Sequence, residues 1–293
     1  MPAISPQILK QVKRIELRTR GLVTSLLAGE YRSAFRGQGM EFAEVRSYQL
    51  DDDFRAIDWN VSARFGHPYV KTFTEERELT LLLVVDQSGS ARFGAPRAKA
   101  EVGVEVASVL ALAAARQNDR VGALLFTDRV ERVVPPKKGR KHALRVIRDL
   151  LAFAPAGRGT DLAGALTYAA RLLRHRAIVV VLSDFAAPGW QRPLGRLAAR
   201  HDVVAVTVDD PREQALPDVG WIELEDQETG QRVLVDTGDA RWRARQAHLA
   251  ARRHEERTRA LRAVGVEEIR LGTERDYAPV LHRAFARRAH PRR

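Results

Sequence analysis

Leu79-Thr80-Leu81-Leu82-Leu83-Val84-Val85-Asp86-Gln87-Ser88-Gly89-Ser90 is the stretch that decides the fold. Its first seven residues form an almost unbroken apolar run with no polar alternation, the pattern of a strand buried on both faces. Such strands belong to parallel sheets covered by helices on either side. The run stops at Asp86, and oxygen-bearing side chains follow at i, i+2 and i+4 around Gly89. Strand and loop together predict a sheet with a polar site at the carboxyl end of the strand.

Downstream, strand-like and helix-like segments alternate. Residues 96–116 read as an alanine- and valine-rich helix with a proline near its start. Strands are expected over 121–126, 131–134, 177–182 and 203–208, and helices over 141–153, 161–174 and 192–200. This alternation implies right-handed crossovers and a doubly wound, mainly parallel α/β sheet with helices on both faces. Residues 209–238 interrupt it: 221–224 and 233–235 flank Gln227-Glu228-Thr229-Gly230, a hairpin-like insertion. A long basic helix over 241–263, a strand over 267–271 and a helix over 278–287 complete the pattern.

Upstream, apolar Ile8, Val12, Ile15, Leu22, Leu26 and Leu27 recur at near-helical spacing, with lysines and arginines on other faces, so 7–28 read as a basic amphipathic helix. Arg36-Gly37-Gln38-Gly39 breaks that pattern, and 41–78 read as short strands and turns around Asp51-Asp52-Asp53. The expected organisation is an N-terminal helix with a small β extension over 1–78 and an α/β domain over 79–293.

Of the 293 residues, 49 are Lys or Arg and 37 are Asp or Glu, for a net charge of +12. The excess lies at the two ends: 1–40 carry 7 basic and 2 acidic side chains, and 241–293 carry 15 and 6. The span 41–80 is acidic, and 81–240 are near balance. The absence of cysteine excludes disulfides, thiolate metal sites and a cysteine nucleophile. No stretch approaches the roughly 20 apolar residues of a membrane span, and residues 1–11 lack an apolar signal core, so a cytoplasmic location is expected. The eight histidines show no metal-ligand spacing.

Three loops lie where the carboxyl ends of strands and the neighbouring helix starts converge: Asp86-Gln87-Ser88-Gly89-Ser90, Gly157-Arg158-Gly159-Thr160-Asp161 and Ser183-Asp184. They offer carboxylates and hydroxyls and no soft ligand, a set suited to a hard cation such as Mg²⁺ or Mn²⁺. The candidate ligands are Asp86, Ser88, Ser90, Thr160 and Asp184. The alternative is that the hydroxyls only cap loops and helix starts.

These loops, in this order, resemble the metal-ion-dependent adhesion site of von Willebrand factor A-type domains. The resemblance implies that Ser88, Ser90 and Thr160 hold the metal directly or nearly so. It implies that Asp86 and Asp184 act through water, and that one position is left for a partner's carboxylate. A second resemblance rests on residues 37–48 (GQGMEFAEVRSY) and 52–59 (DDFRAIDW), together with Val208–Glu213, Leu216-Pro217 and Glu228-Thr229-Gly230. It is to the DUF58 family of bacterial proteins, and it spans roughly residues 30–285. The chain resembles the short members that lack two N-terminal membrane helices, and departs from the family at Asp51, where Gly is common. Around Trp59, the residues Arg46, Asp52, Arg55 and Asp58 suggest a charge network about an aromatic anchor, read as a structural clamp that fixes the segment to the α/β domain, with a partner-binding surface or a lid over the metal as the alternative.

The function expected from these resemblances is a metal-dependent protein-interaction module rather than an enzyme. It would bind an Asp or Glu of a partner in an assembly or chaperone-like role, with a MoxR-type AAA+ ATPase as the partner the family implies. One alternative is a Mg-dependent hydrolase or phosphatase, although a haloacid-dehalogenase-type site needs an Asp where Ser88 stands. The other is nucleic-acid binding through the basic ends, which steep salt dependence would reveal.

Overall fold

The computed structural model describes residues 10, 12, 14, 15, 41–49, 52–74, 78–94 and 97–289. The four described residues of the expected amphipathic helix are helical. The rest of that helix, the Gly37–Gly39 break and Asp51 lie outside the described residues. The chain divides into two compact units, Arg36–Leu79 and Met1–Phe35 with Thr80–Arg293.

In the smaller unit, β1 (Glu41–Ser47) pairs antiparallel with β2 (Tyr69–Thr74) through a bulge between Phe42 and Glu44. A helix, α1 (Trp59–Phe65), connects them and is absent from the sequence reading. Its start is fixed by Asp58, whose carboxylate accepts from the backbone N–H groups of Asn60 and Val61. Its end is fixed by Gly66 at φ +74°, where a left-handed residue is needed. A helix of seven residues, about two turns, is too short for periodicity to reveal. Arg46 grips Asp52 with two hydrogen bonds of 2.9 and 2.6 Å, a charged pair within this unit. Trp59 is not its aromatic anchor, because it is 71% exposed.

The larger unit is built on β3 (Thr80–Asp86), β4 (Arg120–Phe126), β5 (Val130–Lys137), β6 (Ile178–Leu182), β7 (Asp202–Asp209) and β10 (Glu267–Gly272). Their order is β10-β7-β6-β3-β4-β5, with all pairings parallel except the β4–β5 edge. Between them run α2 (Lys99–Arg116), α3 (Arg140–Leu151), α4 (Leu162–Leu172), α5 (Gln191–Ala198), the single turn α6 (Pro211–Gln214), α7 (Ala240–Ala263) and α8 (Ala278–Ala289). A separate hairpin, β8 (Trp221–Glu225) and β9 (Arg232–Asp236), forms its own two-stranded sheet.

The apolar run over 79–85 explains why β3 is central. Side chains alternate across a strand, so Leu82 and Val84 point to one face and Leu81, Leu83 and Val85 to the other. All five are at most 1% exposed, which requires helical cover on both faces. On the first face Leu82 and Val84 join Leu124, Phe126, Val179, Val181 and Ala205 beneath Leu162, Leu166, Leu194 and Leu197 of α4 and α5. Helix α2 is buried almost continuously from Val102 to Ala114, its small residues allowing close approach of the backbone. The architecture is therefore the doubly wound, mainly parallel α/β sheet of a von Willebrand factor A-like domain.

The sheet order reverses between β3, whose partner β4 follows it in the chain, and β6, which starts the second half. That reversal leaves a crevice at the carboxyl ends of β3 and β6, the usual ligand position in such sheets. Asp86 ends β3, and Ser183-Asp184 directly follow β6.

Among the described residues, no helix is long and apolar enough to cross a membrane. The basic helix α7 is mostly solvated, with Ala250, Arg257 and Leu261 buried. Arg257 is not part of its solvated face: it hydrogen-bonds Asp209 on β7 at 3.1 and 3.2 Å and Glu268 on β10 at 2.9 Å.

Candidate metal centre

Asp86 is 5% exposed at the crevice floor. Its Oδ1 accepts the Ser88 backbone N–H at 2.9 Å, and its Oδ2 accepts the Ser183 hydroxyl at 2.6 Å. The first bond curls the loop so that the Ser88 and Ser90 Oγ atoms stand 3.1 Å apart. Burial, with the Asp184 negative charge second, pushes the Asp86 carboxyl up to about 6, against the pull of Ser183 and Ser88. Burial and the Asp184 charge thus both disfavour an ionised Asp86, and a cation beside it would relieve that penalty.

Asp184 is aimed by an uncommon turn. Phe185 takes φ +56°, a conformation costly for a bulky side chain. It is held there by packing edge-on against Trp190, by the Trp190 indole N–H on its carbonyl and by its own N–H on Ser183 Oγ. One Asp184 oxygen accepts the Ala186 N–H, and the other faces the Lys99 ammonium at 3.4 Å. Lys99 is buried and also binds Glu213 at 2.6 Å. Burial opposes its charge, but the Asp184 and Glu213 carboxylates overcome that and raise its pKa. Behind the site a cavity of about 30 Å³, room for about one water, is lined by Asp86, Lys99, Ser183 and Asp184 among apolar groups.

The Thr160 loop meets the Asp86 loop through the Gly89 N–H, which donates to the Arg158 carbonyl at 2.7 Å. Glu131 on β5 shapes this loop by accepting the N–H groups of Ala156 and Gly157. Burial works against the Glu131 charge, but these bonds and that from Thr127 keep its pKa below the ordinary value. Thr160 donates its hydroxyl to Glu228 at 2.6 Å.

The fold thus gathers Asp86, Ser88, Ser90 and Asp184 at one strand-end crevice and joins the Thr160 loop to it by the Gly89 contact. The donors are all oxygens, two of them carboxylates, which fits a hard divalent cation. Among the described residues no three His, Cys, Asp or Glu side chains form a metal-binding group, so hydroxyls make up most of this set. The sequence reading missed Lys99, Glu131 and the contact of Glu228 with Thr160. Lys99 stands inside a helix whose composition reads as core, and Glu131 and Glu228 lie far from the site in sequence.

Lys99 suggests a direct experiment. Lys99→Met leaves Asp184 and Glu213 without their shared ammonium, and the metal-free protein is expected to lose about 1–3 kcal/mol. The same change makes the crevice more negative, so Mg²⁺ is expected to bind it more tightly than wild type. Urea unfolding with and without Mg²⁺ measures both effects, and weaker Mg²⁺ stabilisation in the variant would contradict this role for Lys99.

The chain is similar to several known proteins. The protein Rv1480 of Mycobacterium tuberculosis is 36% identical over 287 residues, covering 97% of this chain and 90% of that protein. YeaD of Bacillus subtilis is 31% identical over 110 residues, 37% of this chain and 25% of that protein. BatB of Bacteroides thetaiotaomicron aligns over 72% of this chain and 96% of its own, with 14% identity and a TM-score of 0.47. The SpRpn10 VWA domain aligns over 70% and 94%, with 11% identity and a TM-score of 0.39. The family described as protein of unknown function DUF58 matches residues 44–257, and the chain belongs to that family.

Proposed function

We propose that the protein is a metal-dependent protein-interaction module that binds an acidic side chain of a partner through a Mg²⁺ or Mn²⁺ ion. Asp86, Ser88, Ser90, Thr160 and Asp184 would hold the ion, which when bound supplies positive charge for an incoming carboxylate. The observation that carries this reading is the pairing of the Ser88 and Ser90 hydroxyls above a buried Asp86 whose carboxyl is destabilised by burial and by Asp184. The loop bonds preset the oxygens, so binding needs little reorganisation. The residues support coordination better than turnover, because a phosphatase-type site would need a second Asp where Ser88 stands. The family resemblance implies a MoxR-type AAA+ ATPase as the partner.

The test uses a purified MoxR-type ATPase from the same cell. The account expects its capture by the protein in Mg²⁺, and loss of capture in EDTA or with Asp86→Ala. Capture that is unchanged by EDTA would rule out a metal-bridged contact.

A further inference from the structure

The β8–β9 hairpin lies outside the main sheet, yet its tip rests on the candidate metal loops. Gln227 presses against the Asp86 loop so closely that a Cβ at Gly89 would lie 2.3 Å from the Gln227 carbonyl oxygen. Gly89 has ordinary helical angles, φ −57° and ψ −44°, so the close approach, not backbone freedom, is what requires glycine there. The next residue, Glu228, accepts a hydrogen bond from the Thr160 hydroxyl at 2.6 Å, a charge-assisted bond to one of the five candidate ligands.

The tip is built to hold that carboxylate in place. Asp226 Oδ1 accepts the N–H groups of Glu228 and Thr229 at 2.8 and 3.2 Å, and these bonds hold the Asp226 carboxyl below its usual range. The Asp226 N–H donates to the Gln231 carbonyl, and the Gly230 N–H donates to the Asp226 carbonyl at 2.7 Å. At the far end the Thr237 hydroxyl ties the stem at the Gly220 carbonyl and accepts the Val219 N–H. Between tip and base the strands pair with each other, and Trp221, Val233 and Leu234 are exposed. The hairpin is a self-contained arm whose tip carries a carboxylate to the crevice.

We propose that Glu228 is an internal ligand of the metal centre, occupying the carboxylate position that a partner would otherwise fill. The proposal rests on the metal reading above and adds regulation to it. A partner's acidic side chain binds by displacing Glu228, and the exposed hairpin stem is the part of the chain that moves when it does. The site is then closed in the resting protein and opened by exchange of one carboxylate for another, with no change in net charge.

The experiment titrates Mn²⁺ into the full chain and follows its electron paramagnetic resonance and the relaxation of water protons. Glu228→Ala is expected to bind Mn²⁺ about tenfold more weakly, with faster water relaxation per bound ion because water takes the vacated position. Millimolar acetate is expected to reverse that relaxation change in Glu228→Ala and to leave the wild type unaltered. Gly89→Ala, which keeps the carboxylate but pushes the tip away, is expected to behave like Glu228→Ala. Far-ultraviolet circular dichroism confirms that each variant is folded. Mn²⁺ affinity and relaxation equal to wild type in Glu228→Ala would overturn the internal ligand while leaving the metal site intact. A wild type that binds no Mn²⁺ would instead overturn the metal reading on which the proposal stands.

Discussion

Asp86→Asn is expected to make the metal-free protein more stable at pH 8, by about 2 kcal/mol, and to abolish its stabilisation by Mg²⁺. The carboxyl of Asp86 is raised from 3.8 to about 6 in the fold, chiefly by burial and then by the Asp184 charge. A raised carboxyl means the fold prefers the protonated form. Its contribution is fully present below the unfolded value and is lost as pH rises through about 6. At about 1.4 kcal/mol for each unit, the charged form weakens the metal-free fold by up to roughly 3 kcal/mol. Some of the gain in Asn is offset by a weaker bond from Ser183. Urea unfolding of both proteins at pH 4.5 and pH 8, with and without Mg²⁺, separates the two effects. The wild type loses stability across that interval without metal and recovers it with metal, and Asp86→Asn does neither. A variant less stable than wild type at pH 8, or still stabilised by Mg²⁺, would show that Asp86 serves packing rather than a cation. Stability given up at a functional group in this way is common where a site must hold charge ready for a ligand.

Arg257→Ala is expected to be the most damaging single change for stability, costing about 3–5 kcal/mol and lowering the melting temperature by on the order of 10 °C. The guanidinium is buried between Asp209 and Glu268, with two bonds to the first and one to the second. Burial opposes its charge, but Asp209 and Glu268 hold its pKa above the ordinary value. Removing it leaves two carboxylates in the interior, of which Asp209 keeps contacts with Arg270 and His254 and Glu268 keeps the hydroxyls of Thr207 and Thr258. Arg257→Ala with Glu268→Gln is expected to recover part of the loss, because it removes one of the stranded charges. Thermal melts at pH 7 measure both, and a loss under 1 kcal/mol for the single variant would refute the buried network. The basic charge of α7 is therefore not all surface: this one arginine fastens the helix to β7 and β10.

The sheet was legible because its strands are buried on both faces and so write themselves as unbroken apolar runs, at 81–85 and 178–182 above all. The helices over 99–116 and 240–263 were legible from length and composition, and the hairpin from its turn residues. The short α1 was not, because about two turns give periodicity little to act on, and its Asp58 cap reads equally as a network charge. At the site, Asp86, Ser88, Ser90 and Asp184 could be grouped because residues at the ends of neighbouring strands converge when a parallel sheet forms, whereas Thr160, in the loop between α3 and α4, was added by the helix start that follows it and by the resemblance. Glu228 and Lys99 could not be placed there from sequence. They reach the crevice from a hairpin 68 residues after Thr160 and from a helix 85 residues before Asp184, through contacts that only tertiary packing creates. Arg257 is likewise one of many basic residues over 241–263 in sequence, and only the packing of α7 on β7 and β10 sets it apart.

Mn²⁺ titration followed by electron paramagnetic resonance measures whether the five oxygen-bearing side chains hold one divalent cation. One Mn²⁺ is expected to bind per chain, competed by Mg²⁺ and lost in Asp86→Asn and in Ser88→Ala. Absence of binding in the wild type, or binding that neither substitution alters, would contradict it.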